Sequence, residues 1–306
     1  MSSPPQDSET RKRTPDFLEK AKKFVASIGE RIPPQKKSWP SYAYAPDIEM
    51  LRVLERIPPL VAFATAIIRM NFEFIRASLL GSAVRVNARQ FPSLHRLAEQ
   101  CAQRLGMPLP ELYVANSPFM NAHTFGTEEK SFIVLSSSLV DACSEEELRF
   151  VIGHEMGHIQ SHHIIFHTII LIAEQLAFLL AGPIVLPAAL ALRTWHRYAE
   201  ITCDRAGLIC AQNLEAACRS FIRIAVGSHR LAAEVNIDEL LSQIDASNSS
   251  FGRYIEALST HPFLPKRIKA IQIFSESHLY RQFLGLDGGL SIEEVNRLTK
   301  EIIRFS

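Results

Sequence analysis

The sequence predicts an α+β protein, predominantly helical, with a small β-sheet and a long apolar helical hairpin. Three observations predict it. Apolar residues recur at helical spacing through several separate stretches. Only two short runs, Glu111-Leu-Tyr-Val-Ala and Ser131-Phe-Ile-Val-Leu-Ser, have the length and composition of strands. Residues 164–192 are apolar almost throughout, with Gly182-Pro183 in the middle.

Taken in order, residues 1–45 form a basic, Pro- and Ser-rich N-terminal extension. Within it Phe17, Leu18, Ala21, Phe24, Val25 and Ile28 recur at helical spacing opposite Lys20, Lys22 and Lys23, and Pro33-Pro34 follows. A short amphipathic helix is expected, packed on its own domain or docked on an anionic membrane surface. Residues 46–89 form an apolar helical region. Its main run, Leu60 to Val84, is broken by Arg69, Asn71, Glu73 and Arg76. That argues against a lipid-spanning helix and for a long core or interfacial one. Phe91 to Leu105 is a clean amphipathic helix, with Leu94, Leu97, Ala98, Cys101 and Leu105 on one side and Gly106 after it. The two strands follow, and residues 120–125 or 131–136 are expected to supply a sheet edge beside a cleft, to which an extended peptide can add.

Ser144 followed by Glu145, Glu146 and Glu147 is a helix start. The helix carries Leu148, Val151 and Ile152 on its apolar side and His154, Glu155 and His158 further on. The apolar run 164–192 is expected to fold back as a hairpin, soluble or membrane-attached, with Gly182-Pro183 at its tip. Glu174-Gln175 and Pro187 weaken a double span. Tyr198 to Gly207 carries Glu200 and Asp204 four apart, Leu214 to Val226 is another amphipathic helix, and 227–250 is a polar surface excursion. Phe251 to Leu258 returns to helix, Ser259-Thr-His261-Pro262 is a break, and an apolar helix through Ile273 contains Lys266-Arg267.

With 306 residues the chain can form one large domain, or one domain and an appendage. A net charge of +1 gives no case for nucleic-acid binding. The 5 cysteines (101, 143, 203, 210 and 218) include no CxxC pair. That disfavours a disulfide scaffold or a cysteine metal site and fits a reducing compartment. The opening residues are polar with no apolar core, so no secretory signal peptide is expected. The expected location is cytoplasmic, with peripheral membrane contact through the 164–192 hairpin.

His154 and His158 lie one helical turn apart on the same side and can hold one metal, with Glu155 in reach of a water on it. This is the HExxH zinc-hydrolase signature. A catalytic zinc usually takes three protein ligands and a water. A longer motif would place glycine at 161 and histidine at 164, but Ser161 and Ile164 stand there. The best third ligand is Glu200. Asp204, one turn on, can accept a hydrogen bond from a ligating histidine and fix its tautomer. Glu155 is the general base, and His261 and Arg267 are candidates to meet the oxyanion. His162, His163 and His167 are read as supporting or surface groups. One Zn2+ per chain is expected.

Four motifs in this order resemble the M48 peptidase family: Asn121-Ala-His-Thr-Phe-Gly, His154-Glu155-Met-Gly-His158 with His163 five residues on, Glu200-Ile-Thr-Cys-Asp204-Arg-Ala-Gly207, and His261-Pro262 with Lys266-Arg267. The resemblance covers about residues 90–275. It implies a gluzincin (zincin) metalloprotease domain there, followed by a C-terminal helical segment, 276–306. It also implies Glu200 as third ligand, and Asn121 and His261 as groups that hold substrate or transition state, with Arg267 beside them. His123 departs from the family, which often has an aromatic or aliphatic residue there. The upstream region is closer to the compact branches than to multi-span members. The expected activity is zinc-dependent hydrolysis of polypeptides bound in extended form, in protein quality control. The alternative is a latent, chaperone-like binding protein that keeps the metal site, and the intact Glu155 favours catalysis.

Overall fold

A computed structural model of the chain describes residues 38–56, 58–126, 130–167, 170, 185–247, 255, 259 and 261–303. Helix α1 (Ala45–Glu55) starts from an extended Tyr44 and carries proline in its first turn, where a missing N–H costs nothing. It buries Asp47, Leu51 and Leu54. Helix α2 (Pro58–Ser82) leads directly into the short strand β1 (Ala83–Arg85). Helix α3 (Pro92–Leu105) buries the periodic face read from the sequence. It ends at Gly106, whose φ of 65° is the left-handed conformation that glycine adopts at little cost.

Strands β2 (Glu111–Ala115), β3 (Ala122–Gly126) and β4 (Ser131–Ser136) complete a sheet of order β1-β2-β4-β3. β2 and β4 are parallel, and the two outer pairings are antiparallel. The expected strands are β2 and β4. β4 lies inside the sheet, so the edge falls to β3. Side chains alternate across this sheet. Leu112, Ile133 and Leu135 enter the main core, whereas Tyr113, Phe132 and Val134 pack against Phe72, Ile75 and Leu79 of α2. Away from that packed stripe α2 leaves Phe74 75% exposed. Through Phe72, Ile75 and Leu79 the helix therefore covers one face of the sheet.

Helix α4 (Ser137–Ala142) is capped by Ser136. Helix α5 (Glu145–Gln160) opens with a reciprocal capping box. Ser144 Oγ accepts from the Glu147 N–H at 3.3 Å, and the Glu147 carboxylate accepts from the Ser144 N–H at 2.6 Å. Glu147 also holds Arg223 at 2.9 Å in a buried pair. Helix α6 (Val185–Ala211) packs along α5, followed by α7 (Leu214–Val226), α8 (His229–Ala233), α9 (Ile237–Ser247), α10 (Leu264–Ser275), α11 (His278–Phe283) and α12 (Ile292–Ile303). Three glycines let α5 and α6 approach closely. A Cβ on Gly157 would lie 3.0 Å from Cys203 Cα, one on Gly153 2.5 Å from Cys210 Cβ, and one on Gly207 2.7 Å from the Phe150 carbonyl oxygen. The core lies between these helices and the inner sheet face.

Two expectations require correction. Among the described residues the long apolar hairpin does not stand as an element of its own: its second arm does not end near Leu192. That arm is the opening of α6, which continues through Arg193, Thr194, His196 and Arg197 into the buried core at Glu200 and Asp204. The fold is predominantly helical with a small mixed sheet, consistent with a zincin. Membrane attachment through that hairpin is corrected with it. Among the described residues no helix is long and apolar enough to cross a membrane. The proposed helix at 17–28, Glu174-Gln175, the Gly182-Pro183 tip and nearly all of 251–258 lie outside the described residues.

Candidate metal centre

The i, i+4 spacing on α5 brings His154 and His158 to the α6 side of the helix, where Glu200 and Asp204 have the same spacing. His154 Nε2 lies 3.6 Å from Glu200 Oε2, and His158 Nε2 lies 3.3 Å from Glu200 Oε1. One ligand atom from each of the three residues falls within 4.8 Å of the others. Glu200 Oε2 is buried and accepts no well-directed hydrogen bond. Arg267 Nη2 and His261 Nδ1 stand at 3.0 and 2.9 Å from it, in ion-pair range but off hydrogen-bond geometry. Two imidazoles and a carboxylate converging from two helices, with one carboxylate oxygen under-satisfied, fit the donor set of a catalytic zinc.

The supporting groups are equally ordered. Asp204 Oδ1 lies 2.9 Å from His154 Nδ1, which leaves Nε2 of that ring facing Glu200. Arg267 grips the same Asp204 with two bonds, Nε to Oδ2 at 2.9 Å and Nη2 to Oδ1 at 2.6 Å, and its guanidinium lies 4.6 Å over the Phe221 ring. On the other side, Thr124 of β3 donates to Glu155 Oε2 at 2.6 Å. That hydroxyl is also 3.2 Å from the Glu155 carbonyl oxygen. The bond ties the edge strand to α5. His167 stacks on His158 with ring centroids 5.2 Å apart, and His196 stacks on His167 at 5.0 Å.

Burial and charge pull these groups apart. Burial raises the Glu155 carboxyl, with only partial relief from His154 and Thr124. Burial acts on Glu200 in the same direction, but His261, Arg267 and His154 outweigh it and hold Glu200 well below the ordinary range. Burial takes His158 down to about 3 and keeps the ring neutral, as a ligand must be. Burial opposes charge on His154 too, yet Glu200 and Asp204 raise it. A bound cation would reset all four.

Of the residues predicted from sequence, His154, His158, Glu155, Glu200 and Asp204 come together at the α5–α6 contact. His261 joins them from the segment before α10 and is half exposed. Arg267, expected to face substrate, has its guanidinium committed to Asp204 and Glu200. Asn121 lies exposed just before β3, with its backbone bonded to Ser136. Sequence reasoning missed Asp47, which is fully buried beside His163. Near a helix start an aspartate reads as an ordinary first-turn acid. It also missed Thr124, which stands inside the Asn121–Gly126 motif but carries no signal of its own.

Residues 88–274 match the profile of Peptidase family M48. The chain is 31% identical over 245 residues to the plastoglobule-localized metallopeptidase 48, chloroplastic, of Arabidopsis thaliana, an alignment that covers 76% of this chain and 71% of that protein. It is 27% identical over 229 residues to a protease HtpX homolog of Ralstonia pickettii, covering 65% of this chain and 79% of the relative. To the protease HtpX homolog of Caldanaerobacter subterraneus subsp. tengcongensis it is 36% identical over 99 residues, 32% of this chain and 33% of that protein, so there the alignment spans a third of the relative's length. No solved structure matches the chain.

Proposed function

The chain belongs to peptidase family M48 and is a metallopeptidase; from that premise we propose that it cleaves peptide bonds with Zn2+ held by His154, His158 and Glu200, and with Glu155 as general base. The observation that carries the reading is the convergence of those three ligand atoms within 4.8 Å next to a buried glutamate of raised pKa. When bound there, zinc supplies a Lewis acid that acidifies water and polarises the scissile carbonyl.

The protein groups do the rest. Glu155 takes a proton from the attacking water and returns one to the leaving amine, and a raised pKa places it closer to neutrality for both transfers. Thr124 holds the carboxylate by Oε2 and leaves Oε1 for that exchange. Asp204 and Arg267 fix His154 and Glu200. In this reading His261, half exposed at the edge of the site, donates to the developing oxyanion. The substrate is a polypeptide in extended form, added by backbone hydrogen bonds to the edge strand β3, with Asn121 at one end of the cleft. The test is cleavage of an unfolded protein such as casein with and without chelator, alongside zinc content. Cleavage that survives removal of the zinc would reject the reading.

A further inference from the structure

Asp47 belongs to α1, outside the stretch that matches the family, yet its carboxylate is buried against the metal centre. Three groups converge on it. Trp195 Nε1–H donates to Oδ1 at 2.9 Å, Thr202 Oγ1–H donates to Oδ2 at 2.6 Å, and His163 Nε2 lies 3.0 Å from Oδ2. The Thr202 oxygen already accepts the Tyr44 N–H at 3.1 Å, which leaves its own hydrogen for Asp47.

His163 is delivered to this place by the end of α5. His162 takes a φ of 60°, and the N–H groups of His162 and His163 bond back to the carbonyls of Ile159 and His158 at 3.2 and 3.0 Å. This is a Schellman closure with histidine where glycine is usual. It returns His163 beneath His158, with Nδ1 of the two rings 3.2 Å apart.

The hydrogens along this chain have one consistent order. A carboxylate only accepts, so the hydrogen between Asp47 and His163 sits on His163 Nε2, and a neutral ring then presents a bare Nδ1. Two nitrogens at hydrogen-bond distance share one hydrogen, so His158 carries it on Nδ1. His158 Nε2 keeps its lone pair, and Nε2 is the atom that faces Glu200. The Cys203 thiol, 3.6 Å from His163 Nδ1, can also donate to that nitrogen.

We propose that Asp47 is a positioning residue for the metal centre: acting through His163, it sets the tautomer of His158 that binds metal. The proposal rests on His158 being a ligand, and the tests keep the two apart. The first variant is Asp47→Asn in the full chain. Trp195 Nε1 can only donate, so the new amide must turn its oxygen to Trp195 and its NH2 toward His163 Nε2. That reverses the order and puts a hydrogen on His158 Nε2. Zinc affinity, measured by competition with a chromophoric chelator, is expected to fall about 10- to 100-fold, the usual cost of losing such a partner. In Asp47→Asn/Trp195→Phe the amide is free to turn back, and affinity is expected to recover most of the loss. A purely structural role predicts that the second substitution adds to the damage. Affinity within about twofold of wild type in Asp47→Asn, or no recovery in the double variant, overturns the proposal. If Asp47→Asn does not fold, 15N-histidine NMR of the zinc-loaded wild type decides. His163 should carry its hydrogen on Nε2, and a hydrogen on Nδ1 rejects the relay. Failure of the ligand reading is separate: it would appear as full zinc occupancy in His158→Ala.

Discussion

Glu155 and Glu200 are both buried glutamates, but their surroundings push them in opposite directions. For Glu155 burial outweighs the relief from His154 and Thr124, and its carboxyl is raised. Glu200 has His261, Arg267 and His154 around it and stays ionised. Separation of this kind assigns roles, a proton carrier and a permanent anion. Glu155→Gln is therefore expected to lower peptide turnover by about 10²- to 10⁴-fold while zinc content stays near wild type. Turnover within tenfold of wild type would mean that another base acts. His261 touches Glu200 only from its exposed side, so His261→Ala should reduce kcat more than it raises KM and leave zinc bound. The histidines also set a pH dependence. His158 is depressed to about 3 and His167 is lowered too, both chiefly by burial. Between about 6.5 and 3 the unfolded His158 ring binds a proton that the folded ring refuses, and His167 shifts in the same direction. Their contribution to stability is thus complete above about 6.5 and is lost as pH falls. His154 is raised, so it opposes this slope only around the unfolded value near 6.5, and its contribution is complete well below that. Chelator-treated protein should show a falling Tm from pH 6.5 to 5.5, and a flat profile would contradict the assigned burial.

At the scale of elements, the α5–α6 contact sets the distance between the two motifs, and three glycines set that contact. Alanine is the better helix former by about 1 kcal/mol. At Gly207, however, the added methyl would meet the Phe150 carbonyl at 2.7 Å, a backbone atom that cannot move aside. Overpacking of that kind costs about 1–3 kcal/mol. Gly207→Ala should lower Tm, and Gly157→Ala, nearer the histidines, should weaken zinc binding as well. An unchanged Tm in Gly207→Ala would mean the helices stand further apart than described. Much of α5 was legible because its signals are local: Ser144 and Glu147 mark its start, Leu148, Val151 and Ile152 its buried side, and His154 and His158 their own spacing. α6 was legible from Glu200 to Gly207 but not at its beginning. Composition alone cannot say that the apolar arm and the polar turn at Thr194 are one helix. β3 lacked the apolar run of β4, because Thr124 turns to Glu155 while its neighbour His123 lies on the opposite face, beside Phe125. Asp47 was illegible for a different reason: its partners lie 116 and 148 residues away, and nothing local distinguishes it.

Over the whole molecule, separate parts of the chain are tied to one small volume. α1 supplies Asp47, β3 supplies Thr124, α5 and α6 supply the proposed ligands, and α10 supplies Arg267. The C-terminal helix α12 is tied in less directly. Arg205, adjacent to Asp204, bonds Asn296 at 2.9 Å and the Tyr42 carbonyl at 3.2 Å. A cation bound by the three proposed ligands would cross-link α5 to α6, and the unfolded chain has no such preformed site. Metal binding therefore adds to folding stability. With free zinc at about one hundred times Kd the gain is about 2.7 kcal/mol. A chain of this size gains about 2 °C in Tm per kcal/mol, so chelation should lower Tm by about 5 °C. The His158→Ala variant should show almost none of that difference, because its zinc is already lost. The same shift in His158→Ala as in wild type would place the metal elsewhere in the protein.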